Sequence, residues 1–221
     1  MGENDAVERT RRDYDEVAEL YNDLVRGPED ATDALSVAMI NAFADIVRAG
    51  GSEGAVVDAG CGPGQWTDHL DRAGIRTYGV DLSPAMIAIA RRYRPDLRYE
   101  VGSMFRLDAA DESVAGVLAH FSLIHTPPDL LPRVLAEYAR VMEPGGPLLV
   151  GFQITDTADA DGWVPYDHKA SPAYRWTPDA LADRLGEHGF TELGRLRIVA
   201  QAPGKPPGGY LLTRRAVPSD G

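Results

Sequence analysis

Apolar positions follow a helical period at the start of the chain and a strand period afterwards. From Asp5 to Arg26, Val7, Tyr14, Val17, Ala18, Tyr21, Leu24 and Val25 recur at roughly three- and four-residue spacing, which predicts an amphipathic helix. Gly27-Pro28 stops it. Asp30 or Thr32 is placed to cap a second helix over Ala34–Ala49, which Gly50-Gly51 ends. Residues 1–4 and 217–221 read as disordered ends.

Beyond Gly51 the apolar runs become short and continuous, as in buried strands. Strands are predicted over Ala55–Asp58, Arg76–Asp81, Leu97–Val101, Val114–Phe121 and Leu148–Ile154. Helices are predicted between them over Gln65–Arg72, Pro84–Tyr93 and Pro128–Met142. Pro84 suits a first helical turn, where a missing N–H costs little. This alternation implies βαβ units and a parallel sheet covered by helices on both faces. After a helix over Pro178–His188 come two strand-like runs, Glu192–Ala200 and Gly209–Arg214. The turn-rich stretch 202–208 between them is too short for a crossover helix, so the pair should be antiparallel. The expected fold is α/β: a doubly wound, seven-stranded, mostly parallel sheet with a C-terminal antiparallel hairpin. Residues 1–50 are expected to form a helical cap, and residues 51–217 the main domain, interrupted by an insertion over 155–176.

Composition narrows the function. The chain has 221 residues with 22 Lys and Arg against 34 Asp and Glu, a net charge of −12. Such a balance repels phosphate backbones, so nucleic acid is not expected as a partner. One cysteine, Cys61, excludes an internal disulfide framework and a multi-cysteine metal site. The polar N-terminus has no signal core, and no stretch approaches the roughly 18 apolar residues of a membrane span. The expectation is a cytoplasmic protein, monomeric or homodimeric, that does not engage a membrane.

Candidate chemistry starts at residues 56–64, Val-Val-Asp-Ala-Gly-Cys-Gly-Pro-Gly. Gly60, Gly62 and Gly64 alternate at the carboxyl end of the first strand, where open parallel sheets bind ligands. Glycine there permits a tight turn and lets a ligand approach main chain. The dinucleotide fingerprint requires a further glycine where this chain has Gln65, and the P-loop requires a lysine that is absent. A smaller adenosine ligand is left. Asp81, at the end of the second strand, is placed to accept hydrogen bonds from ribose hydroxyls.

With these residues in view, the chain resembles the class I S-adenosylmethionine-dependent methyltransferases. Residues 56–64 resemble their first motif, and Tyr-Gly-Val-Asp-Leu-Ser-Pro-Ala-Met (78–86) their second-strand motif. Val-Gly-Ser-Met-Phe (101–105), Val-Leu-Ala-His-Phe-Ser-Leu-Ile-His (117–125) and Pro-Gly-Gly-Pro-Leu-Leu-Val (144–150) resemble the third, fourth and fifth, in order, so the likeness covers about residues 50–154. It implies S-adenosyl-L-methionine as cofactor, a Rossmann-like methyltransferase fold and a small-molecule acceptor. It also implies cofactor contacts from Asp58, Ala59, Gly60, Gly62, Gly64, Asp81, Leu82 and Met86, from Ser103 and Met104 flanking the adenine, and from His120 and Phe121. Many members carry an acid where this chain has Ser103; Asp108 is the alternative adenine partner.

Methyl transfer is an in-line displacement for which the protein supplies orientation and dryness, with no metal required. His125 follows the fourth strand at the ligand end of the sheet and is the candidate general base. Tyr14 and Tyr21 are seven residues apart and share a helix face. In similar methyltransferases an N-terminal tyrosine reaches the cofactor, and Tyr21 is the candidate. The insertion carries Trp163, Tyr166, Tyr174 and Trp176 and reads as a lid over a flat or apolar acceptor. Cys61 is expected as a small residue fitting a tight loop. The other reading consistent with the resemblance is a non-methylating enzyme of the same fold, such as a cyclase.

Overall fold

The computed structural model describes residues 2–26, 34–158, 161–200 and 207–217. The expected stop at Gly27-Pro28, the caps Asp30 and Thr32, most of the turn at 202–208, and residues 218–221 lie outside the described residues. Helix α1 spans Glu3–Arg26 and α2 Ala34–Gly50. Residues 3 and 4 are therefore helical rather than a disordered end.

Then come β1 (Ala55–Ala59), α3 (Gln65–Arg72), β2 (Thr77–Asp81), α4 (Pro84–Tyr93), β3 (Tyr99–Val101) and β4 (Val114–His120). They are followed by α5 (Leu131–Val141), β5 (Pro147–Gln153), β6 (Trp163–Tyr166), β7 (Ala173–Trp176), α6 (Pro178–Glu187), β8 (Phe190–Ile198) and β9 (Gly208–Arg215). Seven strands make one sheet in the order β3-β2-β1-β4-β5-β9-β8. Pairs among β1 to β5 are parallel; β9 runs antiparallel to both β5 and β8. The α/β architecture and its antiparallel C-terminal hairpin are as expected. Strand order reverses at the β1/β4 boundary, the switch point where such sheets bind ligands.

The central strands read as unbroken apolar runs because both faces are covered. Val117, Leu118, Leu148 and Leu149 are fully buried. Tyr138 and Val134 of α5 pack on one face, and Phe43 and Ile40 of α2 on the other. Helix α4 starts where expected, with the Ser83 hydroxyl accepting the Met86 N–H at 3.1 Å.

Three expectations are corrected. Val114–Phe121 ends one residue early, because Phe121 turns away with φ +53° and a 3-10 turn over Leu123–His125 follows. The next helix begins at Leu131 instead of Pro128, because Pro127-Pro128 belong to the turn. Leu97 precedes its strand, which begins at Tyr99.

The insertion is not a plain loop. Its β6 and β7 form an antiparallel hairpin, Trp163 opposite Trp176 and Tyr166 opposite Ala173. Trp176 is buried in the main core, and Trp163 meets Tyr174 edge to face. These aromatics fasten the hairpin to the sheet. Among the described residues no helix is long and apolar enough to cross a membrane.

Candidate functional site

Glycines at the end of β1 bend the backbone so that two loops can touch. Gly60 has φ +79°, and its N–H donates to the Val80 carbonyl at 2.7 Å. A Cβ on it would lie 2.2 Å from the Cβ of Ser122, in the loop after β4. Ser122 in turn donates its hydroxyl to the Ala59 carbonyl at 2.6 Å. Gly62, φ +53°, faces open space toward Tyr21. Its N–H donates to Asp81 Oδ2 at 2.8 Å, while Ser83 N–H donates to Oδ1 at 2.9 Å. The carboxylate is thus fixed by two backbone donors. Burial raises its pKa, and those donors oppose the rise.

This geometry encloses a cleft of about 640 Å³, open solvent included, at the switch point. Of the expected contacts, Tyr21, Ala59, Gly60, Gly62, Asp81, Leu82, Met86, Met104, His120, Phe121 and His125 line it. Asp81 is the one acid among them.

Three expected contacts lie away from the cleft lining. Gly64 is needed for packing: a Cβ there would meet Tyr99 and Ala90 at 2.8–3.0 Å. Ser103 spends its hydroxyl on the Phe105 N–H at 3.2 Å and so shapes a turn. Asp108, the alternative to Ser103 and not counted among the three, lines a separate groove with Arg106 and Arg133.

Asp58, the third, is buried beneath the glycine loop, where it accepts the Thr67 hydroxyl at 2.6 Å. Burial pushes its pKa up to about 7; the Thr67 hydrogen bond opposes this and the Asp81 charge adds to it. An unfolded Asp titrates near pH 3.9. The native state therefore holds a proton that the unfolded chain has lost, so this group's stabilisation is present below about pH 4 and disappears as pH rises through 7. Asp58→Asn keeps an acceptor for Thr67 and removes the ionisation. Its unfolding midpoint should gain on the parent between pH 5 and pH 8; an equal gap at both pH values would refute the assignment.

His125 sits half-buried at the end of the 3-10 turn. Its Nδ1 lies 3.0 Å from the Pro172 carbonyl, which can only accept, so Nδ1 carries the proton. The Tyr14 hydroxyl, 2.7 Å away, must then donate to Nε2. Burial pushes His125 down to about 4 and His120 to about 3, so both rings are neutral near pH 7. Burial raises the Tyr14 hydroxyl well above its usual value. His120 Nε2 lies 2.9 Å from the Tyr210 hydroxyl.

Tyr14 reaches the cleft as well as Tyr21, and so do Thr10 and Ser122. Thr10, Tyr14 and Tyr21 share one face of α1 by spacing, the signal from which Thr10 was also legible. Ser122 lies within the fourth-strand motif and carried no separate signal. The helix is pinned by Asp15, whose Oδ1 accepts from the Ser83 hydroxyl at 2.6 Å, and by Asp13, which accepts from Ser171 at 2.8 Å. Cys61 is buried and packs on Gly79, as a small residue should. Among the described residues, no three His, Cys, Asp or Glu side chains converge to hold a metal ion.

Residues 56–146 match the family described as methyltransferase domain. The demethylmenaquinone methyltransferase of Beutenbergia cavernae is 31% identical over 159 residues, 71% of this chain and 63% of that protein. The chain therefore spans slightly less than two thirds of that relative's length. Among solved structures, the 1,6-didemethyltoxoflavin-N1-methyltransferase of Burkholderia thailandensis, with 1,6-didemethyltoxoflavin and S-adenosylhomocysteine bound, has a TM-score of 0.65 and 24% identity. That match covers 94% of this chain and 91% of that one. The cyclase SpnF has a TM-score of 0.74 at 18% identity, covering 96% and 97%. Such distant likenesses establish the shared fold.

Proposed function

We propose, from the likeness of residues 56–146 to methyltransferase domains, that the chain is a class I S-adenosylmethionine-dependent methyltransferase and transfers a methyl group from S-adenosylmethionine to a small molecule. The observation that carries this is Asp81 beside Gly60 and Gly62 at the switch point. Each carboxylate oxygen accepts one backbone N–H and keeps lone pairs for the hydroxyls of a ribose. Leu82, Met104 and Phe121 offer apolar surface to a flat base, and Gly62 offers main chain without a Cβ. These residues fit an adenosyl group. When bound, S-adenosylmethionine supplies an electrophilic methyl together with its own leaving group.

The rest is done by this chain. Helix α1 and the β6–β7 hairpin act as cap and lid, excluding water from the acceptor. Tyr14, fixed by His125, directs its remaining oxygen lone pairs into the cleft and accepts the N–H or O–H of the nucleophile, aligning the acceptor's lone pair for attack. As the nucleophile loses its proton, Tyr14 takes it and passes its own to Nε2 of His125. His125 is thus the terminal proton acceptor and works through Tyr14, not in direct contact with the acceptor.

The test is calorimetric titration with S-adenosylhomocysteine and, in parallel, NADH, followed by transfer of labelled methyl to a small-molecule fraction. The proposal requires binding of the first alone and label in a small product; tight NADH binding would refute it. Asp81→Asn should weaken S-adenosylhomocysteine by about 1–3 kcal/mol, the usual cost of a charge-assisted hydrogen bond. Unchanged affinity would remove Asp81 from the site. A second reading is ring closure without methyl transfer. The low basicity of His125 favours it, since enclosure alone serves such a reaction. Cofactor binding with no labelled product of any kind would select it.

A further inference from the structure

A second chamber adjoins the cleft, and Tyr21 and Phe121 line both. It encloses about 1690 Å³, open solvent included, between α1, the end of β5 and the β6–β7 hairpin. Its chemistry is lopsided. Lys169 and Arg175 face one acid, the exposed Asp167, in a chain whose net charge is −12. Arg175 has no carboxylate within 4.0 Å among the described residues, although most of the arginines described here are so paired.

Three polar atoms of this lining are buried without a partner among the described residues: Arg175 Nε, the Tyr166 hydroxyl and Gln153 Oε1. A buried donor left unpaired costs about 1–3 kcal/mol, so Arg175 Nε and the Tyr166 hydroxyl mark a place for a ligand's acceptor group, while Gln153 Oε1, itself an acceptor, takes no part in holding an anion. The Arg175 guanidinium is held ready, its carbon 4.4 Å from the centre of the Tyr166 ring. His168 adds a donor. Its Nδ1 accepts the Ala170 N–H at 3.2 Å, which leaves the proton of the neutral ring on Nε2. Cation, guanidinium N–H, phenol O–H and imidazole N–H are the complement of an oxyanion. Phe121, Tyr166 and Tyr21 supply ring surface beside them.

We infer that this chamber binds the acceptor, that the acceptor is a flat molecule carrying a carboxylate, and that Arg175 holds that carboxylate. The inference rests on the methyltransferase reading only in taking the bound molecule for the methyl acceptor; the anion site stands on Arg175 and its neighbours. It assigns the lid a recognition role, with Tyr166 serving as the platform that orients the guanidinium. An excess of acid elsewhere on the chain repels anions at long range, so a local unpaired cation is what such a ligand requires.

The probes are 6-hydroxy-2-naphthoate and its carboxamide, followed by fluorescence as each is titrated into the full chain saturated with S-adenosylhomocysteine. The carboxylate should bind at least about tenfold tighter than the amide, with an advantage that shrinks in high salt. Arg175→Met keeps the stem against Tyr166 and should abolish the preference. Arg175→Lys should keep part of it. Neither should change S-adenosylhomocysteine affinity, and thermal unfolding verifies that both fold. Equal binding of the two probes, absence of binding of either, or a preference that survives Arg175→Met would overturn the inference. Should the parent protein fail to bind S-adenosylhomocysteine, the methyltransferase reading falls. The carboxylate preference is then read in the protein alone, which keeps the two failures apart.

Discussion

Tyr14→Phe is expected to slow methyl transfer by about 100-fold or more, the lower end of what a positioned proton acceptor contributes. The phenyl ring keeps the edge-to-face contacts that Tyr14 makes with Tyr21 and His125 at 5.7 and 5.2 Å. What disappears is one oxygen: the donor to His125 Nε2 and the acceptor facing the cleft. His125→Ala should cost a similar factor, because the two groups act in series. The double variant should be little worse than either single one, the signature of residues that share one task. Affinity for S-adenosylhomocysteine should stay within about twofold, since both side chains act on the acceptor's proton. Because burial holds His125 at about 4, the rate should show no inflection near pH 6.5. A break there would mean that the ring is solvated, and additive losses in the double variant would separate the two residues.

Gly60→Ala carries the second large expected effect. An alanine at φ +79° costs roughly 1–2 kcal/mol by backbone conformation. Its methyl would also overlap the Cβ of Ser122, which cannot retreat without giving up the Ala59 carbonyl. Such overpacking adds about 1–3 kcal/mol. The sum of roughly 2–5 kcal/mol lowers Tm by about 5–15 °C for a chain of this size. Cofactor binding should fail with it, since the loops after β1 and β4 are forced apart. Gly74→Ala is the internal control. Gly74 has the same φ of +79° with nothing within 4 Å of its Cβ position. It should show the backbone cost alone, and equal midpoints for the two variants would remove the crowding argument.

The sheet was legible because buried parallel strands are written as unbroken apolar runs, and Val114–His120 and Pro147–Gln153 are two of them. The glycine loop and Asp81 were legible because their chemistry is local: a turn and a carboxylate one strand apart. What escaped depends on partners distant in sequence. Nothing near Tyr14 announces that it meets His125, 111 residues later. Asp58 and Asp81 both stand at the carboxyl ends of neighbouring strands, Asp58 one residue short of the last, yet Asp81 faces the cleft and Asp58 is sealed beneath it by Thr67. Ser103 stands outside the cleft lining, and its hydroxyl oxygen accepts the Phe105 N–H in its own turn. The hairpin in the insertion was hidden because Trp163–Tyr166 and Ala173–Trp176 are each four residues long, too short for alternation to register.

Within one turn of α1, three side chains fasten three separate parts of the molecule. Asp13 grips Ser171 in the loop that joins the hairpin's strands, Tyr14 grips His125, and Asp15 grips the start of α4 through Ser83 and the Ala85 N–H. A lever attached at three points cannot lift from one of them and stay seated on the others. Lifting this turn of α1 would therefore break its hold on the hairpin's connecting loop, on His125 and on the start of α4 in one step.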